Sequence, residues 1–449
     1  MTCFFRQCRE DGAANQDRLF ETRWTFTKGL RVSGETDLDL VIVGAGAAGI
    51  GAGLVARAAG LKFRILEASD RVGGRAHTIS RGGVTYDLGC HYLHHASRNP
   101  FAATALSRGQ EVSINLTHDA LPEAYYRNGV RQDEATRQAC SKYYQVSDNA
   151  YEIAEADVAG STVIDTTSPF YDVYTGWCEA MNGVPPTRVS THDIQRYKAT
   201  AEDWPVKDGY GALIASFAEG LPVTFDCPVH AIDRTGSSVT VDCAEGTLRT
   251  KTVVVTVSPA VLKSGSIHFT PTLPAAVEKA LVDVPMGLAE RIALFTDGLI
   301  LPPGERISAH TIPKAGKMLI VKVHEFGKPI VEGYIAGDLA RELTDAGGRA
   351  ALIDYTETAA VEMFGSALRS KVLDRVSSCW STDPLILGGY SAALPGRSAS
   401  RAGLSERFDE RLVLAGEACS PDQQTTAHGA YFSGVRAVSH LVQDGLKAD

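Results

Sequence analysis

After residue 37 the chain is punctuated by short apolar runs, and the first of them sets the fold. Leu38–Val43 reads LDLVIV, an apolar run of strand length, which predicts a strand buried on both faces. The small residues of GAGAAG follow. Ile50, Leu54, Val55 and Ala58 then recur at helical spacing, and Gly60 supplies the stop. Phe63–Leu66 is a second short strand, and it ends in Glu67. Strand, helix and strand make one βαβ unit of about 30 residues. Residues 97–200 are less regular and read as mostly helical, with polar loops around 160–168 and a turn at Gly183-Val184-Pro185-Pro186. Residues 222–258 read as several short strands with turns at 233–236 and 244–246. The last of these strands, 252–257 (TVVVTV), is strongly β-branched. Strands and helices mix from 285 to 395, residues 412–415 form another buried-type strand, and a helix follows from about 427 to 446. The alternation predicts a mixed α/β fold with no internal repeat.

The loop of the βαβ unit carries Gly44-x-Gly46-x-x-Gly49, and Glu67 stands at a strand end 18 residues past Gly49. The glycine triplet alone is a weak signal; between a strand and a helix, with that acid, it predicts a dinucleotide site. Gly44 permits the tight turn, Gly46 lets backbone N–H groups approach a pyrophosphate, and Gly49 lets helix and strand pack closely. The helix N-terminus adds positive potential for the phosphates. Glu67 can accept hydrogen bonds from ribose hydroxyls. A second pair, Gly73-Gly74, lies six residues after the acid and is followed by Arg75. That pair is foreign to a plain nicotinamide site and predicts a larger cofactor along a second loop. Arg75 would place a fixed positive charge near the pyrophosphate.

Composition narrows the class. Lys and Arg number 44 against 53 Asp and Glu, a formal charge of −9, so the basic surplus of a nucleic-acid binder is missing. At 44% hydrophobic and 22% charged, the chain is neither disordered nor membrane-like. No window approaches roughly 18 uncharged apolar residues, so neither nucleic acid nor membrane is an expected partner. The nine cysteines are odd in number and scattered without a CxxC, which predicts reduced and mostly buried thiols. The start MTCFFRQCRED lacks the build of a signal peptide. Residues 1–37 read as an extension before the first domain, and a cytoplasmic location is expected by default. No GxSxG, HExxH or P-loop GKS/GKT motif is present, which disfavours hydrolase chemistry.

Four blocks resemble the FAD-dependent amine oxidase family, the flavin monoamine and polyamine oxidases. They are VIVGAGAAGIGAGLVARAAGLKFRILEASDRVGGRAHT at 41–78, YDLGCHYLH at 86–94, CPVHAID with TVVVTVSPAVL at 227–233 and 252–262, and RLVLAGEACSPDQQTTAHGAYFSGVRAV at 411–438. The resemblance implies a Rossmann-like FAD-binding domain interleaved with a substrate-binding domain of mixed sheet and helices. The first would gather 38–95, 205–262 and 404–449; the second would comprise 96–204 and 263–403. It implies FAD contacts from Gly44, Gly46, Ala48, Gly49, Glu67, Gly74, Arg75 and Gly89. Val229 would meet the adenine through its backbone, and Gly416 with Glu417 the phosphate-ribityl part. Thr426 and Ala427 would open a helix facing the flavin pyrimidine, whose dipole favours negative charge there.

On the substrate side, Trp380 matches the tryptophan packed near the isoalloxazine. Tyr390, in LGGYSAALPG, matches one of two aromatic residues that hold the amine over the flavin. The second position falls on Thr426, a weakened cage. Gly389 stands where some monoamine oxidases link FAD through cysteine, so a non-covalent flavin is implied. Family members usually carry a lysine bridged through water to flavin N5; here that place holds Arg291, which is not equivalent. Either Arg291 keeps a cationic, water-holding role, or reoxidation by oxygen differs. His91 falls beside the flavin ring, as a substrate contact or proton acceptor or else as a satisfied polar residue at a domain seam. On a helix His91, His94 and His95 would share a face, but the family block lines a flavin cavity and uses no metal, so no metal is expected.

The expected activity is FAD-dependent oxidation of a primary or secondary amine. A hydride would pass from the carbon to N5, an imine would form, and O2 would be reduced to H2O2. A flavin dehydrogenase or desaturase of the same fold acting on a non-amine, and a catalytically quiet flavin-binding protein, stand beside it. The expected partners are a small-molecule amine and O2. The oligomeric state is open, with a homodimer the candidate assembly.

Overall fold

The structure is a computed structural model and describes residues 37–114, 123–197, 199–200, 202–314, 316–405 and 410–447. The extension expected at 1–37 lies outside them but for Asp37. The βαβ unit forms where expected, as β1 (Leu38–Val43), α1 (Ala47–Ala58) and β2 (Phe63–Leu66). Every residue of β1 is buried. Val41 and Val43 belong to one core and Leu40 and Ile42 to another. Successive side chains of a strand point to opposite faces, so a strand covered on both faces needs the unbroken apolar run. Each such side chain contributes about 1.5–3 kcal/mol through burial.

β1 runs parallel to β2 on one side and to Gly246–Val255 on the other. The sheet they share orders His268–Thr270, Val229–Asp233, Val239–Cys243, Gly246–Val255, β1, β2 and Val223–Thr224, with Leu412–Leu414 also paired to Gly246–Val255. Its strands therefore come from three separated stretches of chain. The final helix, Ala427–Gln443, packs along α1 over this sheet. Residues of the 263–284 stretch, among them Phe269, Val277 and Leu281, sit in the same core as Val41.

A second sheet orders Val372–Ser377, Ala289–Thr296, Ile330–Ala336, Leu319–Val323, Ile307–Ile312, Ala124–Arg127 and Val130–Arg131. The helical stretch Gly337–Phe364, broken at Gly348 where φ is 59°, covers one face, with Leu352 and Ala359 against Leu294 and Val321. Glu134–Glu152 and Tyr171–Asn182 cover the other, with Tyr144 and Trp177 against Ile312 and Ile320.

Two details depart from the sequence reading. Residues 97–200 are not helical throughout, because Ala124–Arg127 and Val130–Arg131 form a hairpin at the edge of the second sheet. The cause is Asn128-Gly129, whose φ angles of 56° and 75° suit the two-residue hairpin turn that Asn-Gly favours. The strand expected at 252–257 begins earlier, as Gly246–Val255, because its polar residues pair with Val239–Cys243. The histidine segment is not helical: Tyr92–Leu93 is a short strand paired with Trp204–Pro205. The seven described cysteines are free, and all but half-buried Cys90 are buried; Cys3 and Cys8 lie outside the described residues. Among the described residues no helix is long and apolar enough to cross a membrane.

Candidate active site

A cavity of about 1890 Å³ runs between the glycine loops of the first sheet and the second sheet. All but one of the residues singled out from the sequence line it. The exception is Gly49, which shapes the loop from behind. A Cβ at Gly49 would lie 1.8 Å from the carbonyl oxygen of Gly44, whose own φ is +100°, so helix and loop meet this closely only as glycines.

Gly46 caps α1 without a side chain, and the first turn holds no acid. Its N–H groups are thus left to an anion in the cavity. The Gly73 N–H donates to the Ala45 carbonyl at 2.9 Å, which brings the second glycine pair against the first. Glu67 accepts from the Ala45 N–H at 2.7 Å and the Ser69 N–H at 2.9 Å. The Ser69 hydroxyl also donates to Oε1 at 2.7 Å, so Oε2 is the oxygen that keeps a lone pair for a further donor. Arg75 lies 3.2 Å from Glu417, which also accepts from the backbone N–H of Ser391 and of Thr425. The pair ties three loops together while both residues line the cavity.

Thr426 caps the final helix: its hydroxyl accepts from the Gly429 N–H at 3.0 Å and donates to the Gln423 carbonyl at 2.7 Å. Ala427 opens that helix, and its first turn is also free of acids. His428 is buried in that turn, and burial lowers its imidazole to about 3. It is neutral there.

Trp380 donates its indole N–H to the Leu88 carbonyl at 2.9 Å. Its loop is held by Glu290, fully buried, which accepts from the N–H of Trp380 and of Ser381 at 2.9 and 3.0 Å. Glu290 went unnoticed in the sequence; an acid inside an apolar strand was the available signal.

Tyr390 is set by its backbone. Its carbonyl accepts from the Gly287 N–H at 2.7 Å, and the Gly389 N–H donates to Gly287 at 2.8 Å. The Tyr390 hydroxyl donates to the Ala180 carbonyl and lies 2.7 Å from the hydroxyl of Tyr334. The hydroxyl partner of Tyr390 is thus Tyr334, on the strand opposite Arg291, while Thr426 caps the final helix. Beyond them the cavity wall is aromatic, with Tyr151, Tyr174, Trp177 and His310. Burial lowers His310 to about 3, so it adds a neutral ring stacked on Trp177 at 5.3 Å.

Arg291 donates to Glu332 at 2.8 Å and lies over the rings of Tyr86 and Tyr334 at 5.3 and 5.9 Å. His91 is 2.5 Å from Glu325 and 3.4 Å from Asp87. Burial opposes its charge, but Glu325 and Asp87 outweigh burial and hold the imidazole above its ordinary value. His91 is therefore held between two carboxylates that favour its protonated form. His94 turns away to Asp203 at 2.6 Å, so the histidines do not converge. The donor atoms of His91, Glu325 and Glu332 do lie within 4.8 Å of one another. Arg291 and Lys322 already face those carboxylates, which disfavours a divalent ion.

A glycine-cradled dinucleotide loop opening onto an aromatic cavity under a second sheet defines a two-part α/β oxidoreductase with a nucleotide cofactor. Residues 160–442 match the family described as flavin containing amine oxidoreductase, and 42–107 match the NAD(P)-binding Rossmann-like domain. The chain belongs to the flavin containing amine oxidoreductases and is a flavin-dependent oxidoreductase acting on amines. It is 26% identical over 450 residues to polyamine oxidase 4 of Oryza sativa subsp. japonica, covering 91% of this chain and 90% of that one. It is 26% identical over 443 residues to lysine-specific histone demethylase 2 of Homo sapiens, covering 90% of this chain and 53% of that one. A solved putrescine oxidase, from a redesign of its cofactor binding, shares the fold at a TM-score of 0.72. It covers 91% of this chain and 99% of that chain, at 16% identity.

Proposed function

We propose that this chain binds FAD without a covalent link and oxidises a small primary or secondary amine to an imine, with O2 as the final acceptor. The observation that carries the reading is one cavity joining Glu67 and the glycine loops to Tyr390, Tyr334 and Arg291. The residues fit FAD. The loop is closed to any Cβ at Gly49, a buried acid stands at the strand end, and two helix N-termini free of acids face the same space. When bound, the flavin supplies the two-electron acceptor, taking a hydride equivalent from the carbon that bears the nitrogen and reducing O2 to H2O2.

The chain's own residues do the rest. Glu67 accepts from ribose hydroxyls, and the N–H groups after Gly46 meet the pyrophosphate beside Gly74, Arg75 and Gly89. Val229, Gly416 and Glu417 hold the remaining length, with Thr426 and Ala427 at the polar edge of the ring and Trp380 against it. Tyr390 and Tyr334, fixed through Ala180, confine the neutral amine by shape and by attraction of its N–H groups to the ring faces. The aromatic wall excludes water, and Arg291 supplies the fixed guanidinium. The cofactor-holding part would comprise 38–95, 205–262 and 404–449, joined by 263–284, and 96–204 with 285–403 would face the substrate.

The test is direct. The purified protein should be yellow, release FAD on denaturation and bleach anaerobically with at least one amine from a panel of monoamines, diamines and polyamines. Peroxide should appear in air. A colourless protein, or a flavin that no amine reduces, would overturn the reading. The Arg291–Glu332 pair favours a second reading, a dehydrogenase with another electron acceptor. Bleaching by substrate with no peroxide in air would select it.

A further inference from the structure

Arg291 is buried in the cavity wall, with 11% of its side chain exposed. Such a guanidinium would ordinarily project a full positive charge into the space before it. Here the charge is met at once. Strand Ile330–Ala336 pairs antiparallel with Ala289–Thr296 so that Tyr334 faces Arg291, and Glu332, two residues earlier, reaches its Nη2 at 2.8 Å. Glu332 is itself buried, at 8%. The ring faces of Tyr86 and Tyr334 hold the guanidinium between them, and its Nε is buried without a hydrogen-bond partner. The neighbouring cations are matched in the same way: His91 by Glu325 and Asp87, and Lys322 by Glu325 at 3.9 Å. The loop that carries Glu325 is set by two non-glycine residues in left-handed conformation, His324 and Phe326, with φ of 61° and 55°.

We infer that Glu332 is a positioning residue that fixes Arg291 and cancels its charge at the cavity wall, and thereby restrains the passage of electrons to O2. The inference rests on the flavin reading above. Reduction of O2 to H2O2 takes two electrons and two protons from the reduced flavin, and the first electron makes an anion. A bare fixed cation within a few ångströms would stabilise that anion. A guanidinium with its carboxylate 2.8 Å away presents a dipole, whose field falls off faster than that of a charge. The negative charge gained by a flavin on reduction is subject to the same argument.

The experiment uses the FAD-loaded protein and three variants: Glu332→Gln, Arg291→Met and the double variant. Two readouts do not depend on turnover, the midpoint potential of the bound flavin and the affinity of the oxidised flavin for sulfite, an anion that adds to it. Glu332→Gln uncovers the cation, so the potential should rise and sulfite should bind at least about tenfold more tightly, the scale of one unit charge about 10 Å away at an effective dielectric constant of about 20. Reoxidation of the photoreduced protein by O2 should quicken. Arg291→Met uncovers the carboxylate, so the potential should fall and sulfite binding weaken. The double variant removes a neutral pair and should stay near the wild type, which also guards against a Glu332→Gln protein that fails to fold. The inference is overturned if Glu332→Gln leaves the sulfite affinity within twofold of wild type and the potential unshifted, or if the double variant shifts as far as Glu332→Gln. A protein without flavin defeats the functional reading itself. One that binds flavin and bleaches with an amine, yet ignores these substitutions, defeats only the role of Glu332.

Discussion

The hydroxyl of Tyr334 lies 2.7 Å from that of Tyr390, and both reach the carbonyl of Ala180. One peptide carbonyl on helix Tyr171–Asn182 therefore fixes two rings that arrive from different strands and loops. Removal of one hydroxyl should cost about one hydrogen bond, on the order of 1 kcal/mol, while the ring remains. Tyr334→Phe should lower kcat/KM about five- to tenfold for any amine that reduces the wild-type flavin. Tyr390→Ala, which removes the ring itself, should lower it at least about a hundredfold. Steady-state kinetics on folded variants decide, and wild-type kcat/KM in Tyr334→Phe would show the hydroxyl pair to be idle.

Cofactor retention tests the other wall. Gly49→Ala places Cβ against the Gly44 carbonyl, a backbone atom that cannot turn aside. The variant should purify without flavin and melt well below wild type. Glu67→Gln keeps size and shape but weakens hydrogen bonds to a charged acceptor, typically about 1.5–3 kcal/mol. Its apoprotein should bind FAD about ten- to a hundredfold less tightly in a fluorescence titration. Wild-type affinity would remove Glu67 from the ribose site.

What the sequence made legible was what lies close together along the chain. Gly44, Gly49 and Glu67 answer to backbone geometry within one βαβ unit, and that geometry appears as spacing. The Tyr390–Tyr334 and Arg291–Glu332 pairs are 56 and 41 residues apart in sequence and depend on the register of the second sheet. That register cannot be read from either strand alone. The strand IVEGYIA did carry a sign, since an acid amid apolar residues in a buried strand must find a cation. Glu290 in AERIALFT carried a similar sign and found backbone donors. For the three histidines the local conformation decides. Helical spacing would unite them, whereas a short strand at Tyr92–Leu93 sends His91 to Glu325 and His94 to Asp203.

Glu179 predicts a pH dependence of stability. Burial, with Asp338 nearby, raises its carboxyl from 4.5 to about 7, although it accepts from the Asp338 N–H at 3.0 Å. The folded protein thus holds this proton more tightly than the unfolded chain does. Stability from this group is complete below about pH 4.5 and drains away as the pH rises through about 7. The loss can reach about 3 kcal/mol. Glu179→Gln cannot ionise and keeps the acceptor. Its melting temperature should match wild type near pH 4 and exceed it at pH 8.5. Parallel curves across that range would show that Glu179 is ionised throughout.

Arg401 and Asp193 give the last prediction. Arg401 is 2% exposed and donates through Nε and Nη2 to the two oxygens of Asp193, at 2.9 and 2.6 Å. Asp193 also accepts from the Ala393 N–H at 2.8 Å, and Arg401 donates to the Ser391 hydroxyl at 2.8 Å. The pair thereby anchors the segment that follows Tyr390. Removing one partner leaves a buried charge without its counter-ion, which typically costs about 3–5 kcal/mol. Asp193→Asn should lose that much in urea unfolding, whereas the double variant Asp193→Leu with Arg401→Met, having no orphaned charge, should lose less. Surviving Asp193→Asn enzyme should also show a higher KM than wild type, because Ser391 adjoins Tyr390. A double variant no more stable than Asp193→Asn would show that the bonds to Ser391 and Ala393, and not the ion pair, hold this segment.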